Sequence, residues 1–196
     1  MDELRIGDRV IAIVRGDISR LPADAIVNAS NSSLAGGGGV DGAIHRAGGP
    51  SLMRELEERY GPGRYCPTGS AVVTGAGDLP ARWVIHAVGP IWRGGEAGEA
   101  ELLASAYRTS CELASDLGAR TIAFPSISTG VYGYPIERAV PTALAAIRDH
   151  LAGETTLERA TLVVFSGDAF EAFAEALADA VTDAGPEAPA GQDDRG

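Results

Sequence analysis

The sequence contains no lysine; all 16 of its positively charged side chains are arginine. That absence removes Schiff-base chemistry, a catalytic lysine amine and the lysine of a Walker phosphate loop. Cysteine is scarce too. Cys66 and Cys111 are expected to be buried thiols rather than a disulfide framework. No apolar run approaches the roughly 20 residues needed to span a bilayer, and the charged start Met1-Asp2-Glu3-Leu4-Arg5 does not read as a secretory signal. The compartment expected is the cytoplasm. A formal charge of −11 argues against general affinity for nucleic acid or anionic membrane, because neutralising phosphates takes clustered cations. Any phosphate this chain holds must be held locally. His45, His86, His150, Cys66 and Cys111 show no ligand spacing of a metal site, so neither a metal nor a cofactor is expected.

What is present suits a globular α/β protein. The 196 residues, 45% of them apolar, are enough for one domain with a proper core. Residues 1–183 are expected to form that domain, acting as a monomer. Residues 184–196, rich in Pro, Gly and acid without apolar periodicity, are expected to be a disordered acidic tail. Apolar β-rich segments at Val10 to Val14, Ala25 to Val27, Ala71 to Thr74, Trp83 to Ala87, Thr121 to Phe124 and Ala160 to Phe165 read as mostly buried strands. Helical patterns occupy Ile44 to Tyr60, interrupted by Gly48-Gly49-Pro50, then Glu99 to Leu117, Ile136 to Leu151 and Ala169 to Val181. Their late alternation with strands predicts crossover units and a mixed sheet between helices.

Four segments could carry chemistry. Gly16-Asp17-Ile18 follows the first strand, where open α/β folds place ligands. Asp17 reads either as a turn residue or as an acceptor for an adenine amine. Asn28-Ala29-Ser30-Asn31 follows another strand, and its amides need partners. Asn28 could tie down loop backbone or touch a ligand; Asn31, nearer the glycines, is the better candidate for bonding sugar hydroxyls. Gly36-Gly37-Gly38-Gly39-Val40-Asp41 is a glycine loop opening a helix, whose backbone can approach a ligand and turn N–H groups toward anionic oxygens. Asp41 also suits the N-cap of that helix, and His45, one turn on, can reach Asp41 or the ligand.

The fourth segment, Phe124 to Pro135, runs from a buried strand into a helix that can take Pro135 at its first position. Ser128, Thr129, Gly130 and Gly133 bring hydroxyls, free N–H groups and close approach near a helix N-terminus, which suits a diphosphate without lysine. Tyr132 and Tyr134 are expected to be exposed. Phe165, ending the last strand, reads as core packing or as a stacking partner for a purine at the same sheet edge as Asp17.

In this order, Gly16-Asp17-Ile18, Val27 to Asn31, Gly36 to His45, Trp83 to Pro90 and Ile127 to Pro135 resemble the macrodomain family, and among its members the MacroD-type ADP-ribosyl hydrolases. The resemblance spans roughly Arg15 to Phe165 and implies a three-layer α/β/α fold with a mixed central sheet and an ADP-ribose cleft at the strand ends. It makes Asp17 the adenine-selecting acid, Ile18 a neighbouring backbone contact and Phe165 the stacking aromatic. Asn28, Gly38, Gly39 and Val40 join the ligand contacts, and Ser128 to Tyr132 form the diphosphate loop. Asn31, Asp41 and His45 become the catalytic set. Two departures stand out: Ser30, where alanine is usual, and a proline in Arg64-Tyr65-Cys66-Pro67. Neither falls on a residue given a catalytic role.

The activity implied is hydrolysis of an ester on the distal ribose, in O-acetyl-ADP-ribose or in proteins mono-ADP-ribosylated on aspartate or glutamate. Asp41 would activate or orient the attacking water. A non-catalytic ADP-ribose reader is the alternative, and an isolated nucleic-acid terminus is a less favoured third substrate.

Overall fold

The computed structural model describes residues 3–183; the tail expected at 184–196 lies outside them. Seven strands and five longer helices follow in the order β1 Glu3–Ile6, β2 Arg9–Arg15, β3 Ala25–Ala29, α1 Gly39–Gly48, α2 Pro50–Tyr60, β4 Ala71–Gly75, β5 Trp83–Ala87, α3 Glu99–Asp116, β6 Thr121–Phe124, α4 Ile136–Ala152, β7 Arg159–Val164 and α5 Gly167–Asp183. One mixed sheet runs β1-β2-β7-β6-β3-β5-β4. The five central strands are mutually parallel, and β1 and β4 close the edges antiparallel.

Side-chain alternation along the strands divides the core. Ala25, Val27, Ile85, Ile122, Phe124, Leu162 and Val164 pack with α3, α4 and α5. Ile26, Val84, Ala123 and Val163 face the other way, against Ile18, Ile44 and Leu52. The two-residue period of a strand thus puts helices on both faces of one sheet. Both cysteines are free and buried, and burial pushes the Cys66 thiol up to about 11 and Cys111 to about 12.

The elements differ from expectation chiefly at two places. β1 was not anticipated, because four residues carrying Glu3 and Arg5 offer little apolar signal; Leu4 nonetheless reaches the core. α1 begins at Gly39 rather than Ile44, its glycine start invisible to helix propensity. The expected interruption is a true break: Gly49 stands at φ +74° and Pro50 opens α2.

Candidate functional site

Every parallel strand ends at the same sheet edge, so the candidate segments line up in strand order. Asp17 follows β2, Phe165 follows β7, the second loop follows β6, and Asn31 with the glycine loop follows β3. From β2 to β3 is three strand spacings, about 14 Å. This edge can hold an elongated ligand, one part per strand end.

At the β2–β7 end, Asp17 caps a 3-10 turn, Ile18–Arg20. Its Oδ1 accepts from the Ser19 backbone N–H at 3.0 Å and hydroxyl at 2.7 Å, and Oδ2 lies 3.5 Å from Arg20. The Ser19 hydroxyl, more than any other group, holds the carboxyl below its usual range. Asp17 therefore caps this turn through Oδ1, while Oδ2 has its contact with Arg20 at the surface. Ile18 is buried, which leaves only its backbone for a ligand. Phe165 does not pack in the core: it is 85% exposed, one residue past Val164, whose carbonyl accepts from Gly16 N–H.

The second loop is rigid beneath and open above. Tyr107, buried on α3, donates to Pro125 O and accepts from Ile127 N–H at 3.1 Å. Gly133 N–H closes on Gly130 O, Tyr134 N–H on Ser128 O, and Trp92 N–H on Tyr132 O. Tyr134, expected outside, is buried against Trp92 with ring centroids 4.6 Å apart. Tyr132 is half-buried, and Val131 projects, 96% exposed. The backbone N–H groups of Ser128 to Tyr132 have no acceptor among the described residues. Ser128 holds φ +67° and buries an unpaired hydroxyl, the kind of strain and orphaned polarity that gathers at ligand sites. Thr129 Oγ1 is turned inward to Ser126.

The glycine loop is fixed by its two asparagines. Asn31 Nδ2 donates to Gly36 O at 2.9 Å, and its Oδ1 accepts from Ser33 and from Ala35 N–H. Asn31 thus holds the loop's shape. Asn28 shares a sheet face with Ile26, is 0% exposed, and donates from Nδ2 to Asp41 Oδ1 at 2.6 Å. It has no surface to offer a ligand, so its placement among direct contacts is corrected. Asp41 is not the N-cap either: Gly38 takes that position and Asp41 sits in the first turn of α1.

Asp41 is 5% exposed. Its Oδ1 is taken by Asn28, with His45 Nε2 at 3.4 Å. Its Oδ2 faces Gly37, where a Cβ would stand 3.1 Å from it and 3.9 Å from Asn31 Nδ2. Gly42 permits this arrangement, since a Cβ there would lie 2.6 Å from Gly37 O. Val40 packs its side chain into the core beneath. The N–H groups of Gly36 to Asp41, including those of Gly39 in the first turn, have no acceptor among the described residues, so the positive end of α1 faces the edge. Outside the loop a depression of about 500 Å³ is lined by Gly36, Gly37, His45, Arg46 and Met53 among others.

Sequence reasoning missed several supports. Tyr107 holds the second loop from a helix 20 residues upstream of Ile127. Gly89 has no room for a side chain, because a Cβ would collide with Ser128 Oγ and Ile127 Cγ2; a glycine two residues after an apolar strand was the available signal. Ser30, the departure thought to touch nothing catalytic, accepts from the Asn28 amide at 2.9 Å and so belongs to the support of Asp41.

The same chain matches the family model described as Macro domain over residues 27–143. It is 53% identical over 169 residues to a macro domain-containing protein of Caldanaerobacter subterraneus subsp. tengcongensis, covering 85% of this chain and 94% of that one. The chain belongs to the macro domain family. An O-acetyl-ADP-ribose deacetylase 1 of Pantoea vagans is 48% identical over 167 residues, covering 85% of this macro domain chain and 98% of the relative. In structure, the Oceanobacillus iheyensis macrodomain with ADP superposes with TM-score 0.87 at 41% identity, covering 92% of this chain and 96% of that one. The mixed sheet between helices is thus the macro domain architecture.

Proposed function

We propose that this macro domain binds ADP-ribose along its sheet edge and hydrolyses an ester on the distal ribose. The substrates are O-acetyl-ADP-ribose and proteins mono-ADP-ribosylated on aspartate or glutamate. The observation that carries this reading is the placement of Asp41. One carboxylate oxygen is fixed by the Asn28 amide; the other faces Gly37 without a hydrogen bond, in a loop whose N–H groups have no acceptor among the described residues. Adenine lies between Asp17 and Phe165, the diphosphate meets the N–H groups of Ser128 to Tyr132, and the ribose reaches Gly38 to Asp41 and Asn31. A water beside Asp41 Oδ2 attacks the acyl carbon; the acyl–oxygen bond breaks, the ribose oxygen takes a proton, and a carboxylate leaves. The deacetylase and ADP-bound macrodomains described above support this assignment. Residues 1–183 act as one cytoplasmic, monomeric domain, and no helix among the described residues is long and apolar enough to cross a membrane.

Calorimetric titration with ADP-ribose beside a release assay on ADP-ribosylated protein and O-acetyl-ADP-ribose tests this reading. Wild type binds and turns over, whereas Asp41→Ala binds and loses at least about a hundredfold in turnover. Binding without release by the wild type would make the protein a reader.

A further inference from the structure

His86 and Thr74 lie outside every group assigned above, yet they are joined to it. His86 on β5 pairs in register with Asn28 on β3 and Val72 on β4. Its ring is 0% exposed, with Nε2 2.9 Å from Thr74 Oγ1 and Nδ1 3.2 Å from Asn28 Nδ2. Thr74 Oγ1 also lies 2.9 Å from Gly75 O, a carbonyl that can only accept. The threonine's single proton goes to that carbonyl, so the hydroxyl must accept from the ring. Nε2 therefore carries the hydrogen and Nδ1 is the acceptor.

That tautomer decides how Asn28 lies. Ser30 Oγ, Asp41 Oδ1 and His86 Nδ1 surround its Nδ2, three acceptors for two hydrogens, with the Ser30 hydroxyl also 3.5 Å from Nδ1; its Oδ1 is buried without a partner. An amide rotated by half a turn would set its carbonyl oxygen 2.6 Å from the Asp41 carboxylate and, at the same time, against an imidazole lone pair 3.2 Å away. We propose that Thr74 and His86 are positioning residues of this site: they hold the Asn28 amide with its N–H on Asp41 and so leave Asp41 Oδ2 aimed at the cleft. The inference rests on the ester-hydrolysis reading for its effect on turnover, but the tautomer stands apart from it.

The groups facing the ring agree with a neutral imidazole. Asn28, Ser30 and Thr74 are uncharged, the His45 ring lies 5.8 Å away, and among the described residues Asp41 is the anion that acts on the ring. Burial first, and then His45, push His86 down to about 3 against the pull of Asp41. Nδ1 remains an acceptor throughout the neutral range.

Long-range ¹H–¹⁵N NMR of the wild type reads the tautomer directly, without ligand or turnover. Nε2–H with bare Nδ1 from pH 5 to 8 is expected; Nδ1–H, or a protonated ring, overturns the proposal. Thr74→Val removes the acceptor and Thr74→Ser keeps it. In Thr74→Val the Nδ1–H form is expected to appear and kcat to fall about tenfold to a hundredfold, with ADP-ribose affinity and melting cooperativity retained, whereas Thr74→Ser keeps both. Loss of affinity in step with kcat, or an unchanged kcat despite a changed tautomer, contradicts the positioning role. Should wild type not turn over, the hydrolase reading fails while the NMR result still judges the tautomer.

Discussion

The two loops at the sheet edge are held in opposite ways. The second loop rests on aromatic side chains: Tyr107 bonds its first residues, and Trp92 and Tyr134 pack under its last. It offers backbone N–H groups and no buried charge. The glycine loop rests on polar groups, with Asn31 tying its backbone and Asn28, Ser30 and His86 gathered behind Asp41. A frame of apolar contacts suffices to fix a row of dipoles. A carboxylate that must sit nearly buried and still act on water needs hydrogen bonds to one oxygen and freedom at the other. We read the second loop as the binding element and the glycine loop as the one that carries the chemistry.

Substitutions under the second loop should therefore cost affinity before rate. The largest effect is expected from Gly89→Val, whose side chain displaces Ser128 and Ile127. Overpacking of about 1–3 kcal/mol should weaken ADP-ribose binding roughly tenfold to a hundredfold in a calorimetric titration. Tyr107→Phe removes one hydroxyl and strands Ile127 N–H and Pro125 O. A loss of about 1–2 kcal/mol corresponds to roughly tenfold in Kd, with single-turnover rate at saturation nearly unchanged; a rate loss without an affinity loss would break the division. Phe165→Ala, at the exposed end, should cost about 1 kcal/mol, roughly fivefold, and only for ligands that carry a base.

The smallest effect on either function is expected at Glu99, whose carboxylate accepts from the backbone of Arg93, Gly95 and Ala97 at 2.7–3.0 Å. Burial acts to raise its pKa, and these N–H groups together with its own more than offset that, bringing it down to about 2. Between the ordinary 4.5 and about 2 the unfolded chain binds the proton and the folded one does not. Its stabilisation is therefore complete above pH 4.5 and disappears as the pH falls through 2. Glu99→Gln should lower the melting temperature at pH 7, with a smaller drop from pH 5 to pH 2 than wild type, and leave turnover unchanged.

Much of the fold was legible because five buried strands carry uninterrupted apolar runs, as in Val84-Ile85 and Leu162-Val163-Val164. β1 was hidden by its length and charges, and the start of α1 by glycines that only tertiary contacts make helical. Asp17, Asp41 and the second loop were legible as positions, because strand ends and glycines mark where backbone can meet a ligand. The division between Asn28 and Asn31 was not used, although the two-residue period that puts Ile26 in the core also puts Asn28 there. Tyr107, Thr74 and Ser30 act across elements distant in sequence, and no local pattern joins them to the loops they support. His86 gave a partial signal: a histidine between Ile85 and Ala87 in an apolar strand had to be satisfied inside.

The most direct measurement of the central claim is single-turnover release of ADP-ribose by Asp41→Asn at saturating substrate, with ADP-ribose Kd determined on the same preparation. The substitution keeps the side chain's shape and removes its charge. A rate at least about a hundredfold below wild type, with Kd within about threefold, is the expected result. A rate within tenfold of wild type, or a loss confined to Kd, would contradict the assignment of chemistry to the glycine loop.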